Sequence, residues 1–171
     1  MMGRNHLTLG LGVGLATAPL ATDNIVSGAV WVCVVTGSSL LPDIDTEGST
    51  ITKSLGPITK VISFFVRLLT RHRGFTHRDI GIALWGLLMW WLCEQLHAPV
   101  WLAAASVVGC CAHLLGDALT RQGIRPLTFA PKWRISLSPE KAGAPSEPYV
   151  AGFLAVLGVA AMLYQVVPNL F

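Results

Sequence analysis

Five apolar runs divide the chain: residues 7–21, 25–41, 80–96, 100–119 and 150–167. All twelve Lys and Arg residues lie outside them. A helix needs about 20 apolar residues to cross a bilayer, with a range of about 17 to 25. The fourth run fits well; the second, third and fifth lie near the short end. The first is Gly-rich and marginal, suited to close helix packing or to a partly re-entrant path. Hydrophobic residues make up 53% of the chain and charged residues 12%, against roughly 25% charged in ordinary soluble domains. A water-soluble fold of 171 residues could not hide that much apolar surface. The expectation is a single all-α, polytopic membrane domain over residues 1–171, with about five transmembrane helices.

The charges orient this arrangement. Residues 22–24 and 97–99 are short turns without Lys or Arg, whereas the long loops 42–79 and 120–149 carry eleven of the twelve, Arg4 being the other. The positive-inside rule then places the N-terminus and both long loops in the cytoplasm and the C-terminus outside. Within the first loop, Ile58, Val61, Ile62, Phe65, Leu68 and Leu69 recur at helical spacing, with Lys60, Arg67 and Arg71 on the other side. Residues 56–71 therefore read as an amphipathic helix lying on the membrane surface. An alternative for the start is a signal peptide, since Arg4, the Gly/Leu-rich run and Ala16-Thr17-Ala18 resemble one; cleavage would remove His6. Cys33, Cys93, Cys110 and Cys111 all lie in apolar runs without CxxC spacing, and read as small buried residues. Neither an internal repeat nor a nucleic-acid-binding module is visible.

Polar residues can now be placed by depth. His6 falls at the cytoplasmic mouth of the first helix, and Asp43 and Asp45 of "LLPDID" at the cytoplasmic end of the second. His72 and His77 of "HRGFTH" precede the third, and His113 and Asp117 of "AHLLGD" lie near the cytoplasmic end of the fourth. Four histidines and three aspartates, far apart in sequence, thus converge at one depth. His113 and Asp117 share a helix face at i, i+4, and an ionisable residue inside an apolar helix is costly and usually functional. Asp43 and Asp45 would point the same way if their segment is extended. Imidazole with carboxylate suits a divalent metal, zinc first, with manganese or iron as alternatives. Three carboxylates with neutral histidines would be balanced by two such ions and a hydroxide, although one ion also fits. Such a site activates water and holds a phosphate, with Asp45 or Asp117 as general base. Arg73, Arg78 and Arg121 border the cluster and read as holders of an anionic substrate group, besides anchoring topology. Gly74 would let the backbone turn between the histidines, Thr76 would cap the third helix or orient a ligand, and Asp79 would be a first-turn acid or a partner of His77. His97 and Glu94 fall at the opposite face and serve as internal controls.

Together, the N-terminal histidine, "LLPDID", "HRGFTH" and "AHLLGDALT..GI" resemble the LexA-regulated, membrane-bound metal-dependent hydrolase family of bacterial inner-membrane proteins. The motifs fall within residues 1–135 and in the family's order. The resemblance implies an inner-membrane helical hydrolase, distantly akin to zinc-dependent phospholipase C, with His6, Asp43, Asp45, His72, His77, His113 and Asp117 as metal ligands. A serine expected after the second histidine of "HRGFTH" is Arg78 here. The expected reaction is hydrolysis of a phosphoester in a lipid or lipid-linked substrate at the cytoplasmic face, with membrane lipids as partners. Rival readings are a non-catalytic metal scaffold or sensor, a metal transporter, which would need polar residues through the full membrane depth, and simple interfacial anchoring, which leaves His113 unexplained.

Overall fold

The computed structural model describes residues 1–54, 56–70 and 73–167. Among these residues seven α-helices follow one another: α1 (Gly3–Ala21), α2 (Ile25–Ser38), α3 (Thr50–Ser54), α4 (Pro57–Leu69), α5 (Asp79–Gln95), α6 (Trp101–Ala118) and α7 (Glu147–Val166). Two short 3₁₀ turns, Leu41–Asp45 and Phe75–His77, precede α3 and α5. Among the described residues the β pairing amounts to one antiparallel bridge, Ile124 with Ile135.

Three of these elements are long and apolar enough to cross a membrane: Ile25–Asp45, Trp101–Ala118 and Glu147–Val166. The other two expected spans fall short in different ways. α5 has 17 residues, about 25 Å at 1.5 Å per residue, below the roughly 30 Å of a hydrocarbon core. α1 has 19 residues, but its glycines, threonines and alanines make it less apolar.

α6 is the central helix, with 61% of its apolar stretch buried, against 11% for α7. It packs against α1, α2 and α5, while α7 packs along α1. The α1–α7 crossing depends on small residues. A Cβ on Gly158 would lie 2.1 Å from the Gly12 carbonyl oxygen, so the two backbones touch as in other small-residue membrane crossings. Polar ties fix the same pair at its other end. Glu147 accepts hydrogen bonds from the Met2 amide, from Asn5 Nδ2 at 2.7 Å and from the Gly143 amide at 2.5 Å.

α4 is amphipathic in the inverted sense. Thr59 and Ser63 are buried, while Ile58, Val61, Phe65, Leu68 and Leu69 are exposed. The buried hydroxyls bond inward, Thr59 Oγ1 to the Thr52 carbonyl at 2.9 Å, and Thr52 Oγ1 to the Thr46 carbonyl at 3.0 Å. An outward apolar face over a polar underside is the pattern of a helix whose solvent is lipid. Arg67, on its polar side, pairs with Glu47 at 2.7 Å; Arg71 lies outside the described residues.

Local differences from the sequence expectations have physical causes. α1 begins four residues before the apolar run because Asn5 and His6 amides bond the Met2 carbonyl at 2.9 and 3.1 Å, so His6 is a helical residue. α2 stops at Ser38 because the chain tightens into the 3₁₀ turn at Pro42. α3, a single polar turn, has no apolar periodicity to announce it. The four cysteines are free, with Cys93 and Cys110 buried and Cys33 and Cys111 exposed; an apolar membrane face accounts for the exposed pair.

Candidate metal centre

Four elements bring five of the expected residues together: α1 with His6, the first 3₁₀ turn with Asp43, the second with His77, and α6 with His113 and Asp117. His77 Nε2 and His113 Nε2 stand 3.1 Å apart. Asp43 Oδ1 is 3.6 Å from each of those nitrogens. Asp117 Oδ2 is 3.8 Å from His77 Nε2 and 3.9 Å from His113 Nε2. The His6 ring stacks on His113 at 3.7 Å, with an angle of 11° between planes. Two sets have donor atoms within 4.8 Å of one another: His6, Asp43 and His113, and His77, His113 and Asp117. Two donors about 2.1 Å from a tetrahedral ion are separated by roughly 3.4 Å, so these spacings suit one shared metal.

The orientation of each imidazole follows from its other nitrogen. His113 Nδ1 donates to the Ser39 carbonyl at 2.8 Å, which leaves its Nε2 lone pair facing the cluster, the arrangement seen around metal-ligating histidines. His77 Nδ1 lies 3.3 Å from Asp45 Oδ2 and 3.0 Å from Thr76 Oγ1, and the Thr76 hydroxyl donates to Asp45 Oδ2 at 2.5 Å. Asp45 therefore sits behind His77, on the side away from His113. The segment holding Asp43 and Asp45 is a 3₁₀ turn, not an extended stretch. Residues two apart in such a turn diverge, so one carboxylate faces each nitrogen of the same ring. Thr76 serves to orient His77 and does not cap α5.

His113 Nε2 has one lone pair, and both sets of donors use it. The described residues thus form one centre with alternative ligands, and a second ion would require donors beyond them. His72 lies outside the described residues.

Burial makes the cluster's chemistry unusual. His6, His77, His113 and Asp117 are at most 2% exposed. Among the described residues, both ring nitrogens of His6 and Asp117 Oδ2 are buried without a hydrogen-bond partner; His6 Nε2 stands 3.5 Å from Asp117 Oδ1. A buried, unsatisfied polar atom costs about 1–3 kcal/mol, and most such atoms in folded proteins have partners. A cation among them would satisfy Asp117 Oδ2 and one of the two His6 nitrogens, the other nitrogen of the neutral ring keeping its proton. Burial disfavours a charge on His77, but hydrogen bonds to Asp43 and Asp45 outweigh it and raise its pKa from the ordinary 6.5 to about 9. A metal would displace that proton.

The arginines divide. Arg73 takes a left-handed conformation, φ 60°, and aims inward, with Nη2 2.9 Å from Asp117 Oδ1 and Nη1 donating to the Gly123 carbonyl at 3.0 Å. The sharp turn thus falls on Arg73 itself, whereas Gly74 has a negative φ. The Met1 amino group is 2.5 Å from the same Asp117 oxygen. Arg78 keeps a buried Nε without a partner among the described residues, and Arg121 is exposed. Asp79 Oδ1 accepts from the Ile80 amide at 2.8 Å and from the Thr128 amide and hydroxyl at 2.9 and 2.5 Å, so it starts α5 and clamps the second long loop. His97 and Glu94 lie at the far end of α5, exposed.

The pairing of Arg73 with Asp117 and the backing of His113 by Ser39 carry no sequence signal. The first depends on one left-handed residue, and the second uses a backbone carbonyl that any residue supplies. Gly116 is another unannounced contributor: a Cβ there would come 2.9 Å from His6 Nδ1, so its lack of a side chain lets α1 bring His6 against α6.

No curated protein and no solved structure matches the chain. The YdjM inner membrane protein family matches it over residues 1–168, the whole of the described fold included. With apolar helices able to cross a bilayer and a match of that extent, the chain belongs to the YdjM inner membrane protein family.

Proposed function

We propose that this protein is a metal-dependent hydrolase that cleaves a phosphoester of a lipid or lipid-linked substrate at the cytoplasmic face of the inner membrane. The observation that carries the reading is a group of buried donor atoms on His6 and Asp117, unpartnered among the described residues, within reach of His77, His113 and Asp43. His6, Asp43, His77, His113 and Asp117 would hold the ion; nitrogen donors with carboxylates favour zinc, with manganese or iron next. A bound ion of this kind lowers the pKa of water to about 7 and polarises a phosphoryl oxygen.

The chain's own residues divide the remaining work. Ser39 and the Asp45–Thr76 pair hold the two imidazoles in the tautomers that face the ion. Arg73 restrains Asp117. The Asp43 side chain, 17% exposed against 2% for Asp117, is the carboxylate that an incoming water meets first; with the ion on His77, His113 and Asp117, it is free to take the role of general base. Arg78, next to His77 in the chain and with an Nε that has no partner among the described residues, receives the anionic group. This reading keeps the expectation that the N-terminus and both long loops are cytoplasmic, the side to which the positive-inside rule assigns the arginines.

The test is a phosphoesterase screen of detergent-purified protein loaded with zinc or manganese, against phosphomonoester and phosphodiester lipids. Turnover that a chelator abolishes, and that Asp43→Asn and His113→Ala lower by about 100-fold or more, supports the reading. Turnover equal in wild type and His113→Ala, or absent from metal-loaded protein, contradicts it. The near-complete burial of His6 and His113 favours a second reading, a non-catalytic metal-stabilised scaffold. That reading predicts a coordination sphere filled by protein alone.

A further inference from the structure

Beside the cluster lies a feature that metal binding does not use. An apolar groove of about 340 Å³ runs between α4, the two 3₁₀ turns and α5, within the roughly 300–1,000 Å³ of small-molecule sites. Ile62 and Val66 of α4, Leu84 and Leu88 of α5, and Pro42 and Ile44 of the first turn form much of its wall. No charged side chain lines it among the described residues. Thr76 forms part of its wall, and the Thr76 hydroxyl bonds Asp45 and lies 3.0 Å from His77 Nδ1. The groove therefore comes within one side chain of the candidate metal centre.

Its other side opens outward. Ile62, Leu84 and Leu88 are 47%, 49% and 45% exposed, continuous with the outward apolar faces of α4 and α5. An opening in that direction faces lipid. Arg73, just before the second turn, is paired with Asp117 of the cluster at 2.9 Å. An apolar slot open toward lipid and a His/Asp cluster beside it follow one another in the order of a phospholipid's chain and headgroup.

We propose that this groove seats one acyl chain of a membrane lipid whose phosphate-bearing headgroup reaches the His/Asp cluster. This rests on the phosphoester reading above and narrows it: the substrate is drawn sideways from the bilayer, and a water-soluble phosphoester lacks the part that the groove holds.

Photo-crosslinking tests it without needing turnover. The full chain is placed in phosphatidylcholine vesicles with phosphatidic acid carrying a diazirine on its acyl chain. Leu88→Trp narrows the groove. Leu87→Trp, on the same helix, 57% exposed and outside the groove, is the control for folding. The expected result is adducts on the peptides holding Ile62, Val66, Leu84 and Leu88, competed by unlabelled phosphatidic acid. Leu88→Trp should lower them about tenfold, as the loss of roughly two buried methylenes would, and Leu87→Trp should leave them unchanged. Adducts spread evenly over α5 and α7 without competition would show boundary lipid only, and crosslinks between copies of the chain would show that a second copy fills the groove; either overturns the proposal. Measuring turnover of the same metal-loaded wild type separates the two claims. Groove adducts in metal-loaded wild type with no phosphoesterase activity uphold the groove and remove the hydrolase, whereas hydrolysis of soluble phosphoesters without groove adducts removes the groove alone.

Discussion

Metal uptake at this site should cost a proton, and the cost should be readable in its pH dependence. His77 is 1% exposed, with Asp43 Oδ1 3.6 Å from Nε2 and Asp45 Oδ2 3.3 Å from Nδ1. Burial works against the protonated ring, but the two carboxylates keep it charged up to about pH 9. A metal competes with that proton for Nε2. At pH 7 the gap to a pKa of about 9 lowers the apparent affinity by about 100-fold, since each pH unit is a factor of ten. Affinity should therefore climb through pH 7 and 8 and flatten above about pH 9. The metal-free fold follows the opposite course. The folded pKa lies above the unfolded value, so protonated His77 contributes its full stability below pH 6.5 and loses it as pH rises through about 9. That contribution is on the order of 3 kcal/mol. Asp45→Asn removes one of the two carboxylates, so the pH at which affinity flattens should fall. The assay is a chelator-buffered zinc titration in detergent at pH values from 6.5 to 9.5, with proton release followed in weak buffer. Affinity already flat above pH 7, or a plateau that Asp45→Asn leaves in place, would refute this account of the ring.

Two further outcomes follow from packing. Gly158→Leu drives a side chain against the Gly12 carbonyl, which as backbone cannot step aside. It should lower stability in thermal unfolding by about 1–3 kcal/mol or more, whereas Gly152→Ala, with nothing within 4 Å of its Cβ, should change it little; equal effects would contradict the α1–α7 crossing. Asp79→Ala releases the Thr128 amide and hydroxyl, so hydrogen exchange should quicken in the segment around Thr128 while metal stoichiometry stays the same. Loss of metal in that variant would show that Asp79 supports the cluster directly.

The helices were legible because lipid imposes a strong constraint: apolar runs had to be long and their charges had to lie outside. Runs 80–96 and 100–119 match α5 and α6 to within a residue or so at most ends. Depth along those helices was enough to foresee that His6, Asp43, His77, His113 and Asp117 would meet, because residues at the same end of packed helices share a layer. What depth could not supply was direction around the chain axis. Asp43 and Asp45 depart on different sides of a 3₁₀ turn, which places one at the shared face of two imidazoles and the other behind His77. Arg73 turns inward onto Asp117 through one left-handed φ, where the sequence reading assigns it to an anionic group of the substrate. The apolar groove was hidden for a related reason: its walls come from α4, α5 and two turns, and no single segment carries its pattern.

The measurement that bears most directly on the central claim is elemental analysis of bound metal in detergent-purified wild type, His113→Ala and His97→Ala. The account predicts about one equivalent of a divalent metal in wild type. It should be lost in His113→Ala, whose Nε2 is common to both sets of donors, and kept in His97→Ala at the far end of α5. No metal in wild type, even after reconstitution with zinc and manganese, or equal metal in all three proteins, would contradict it.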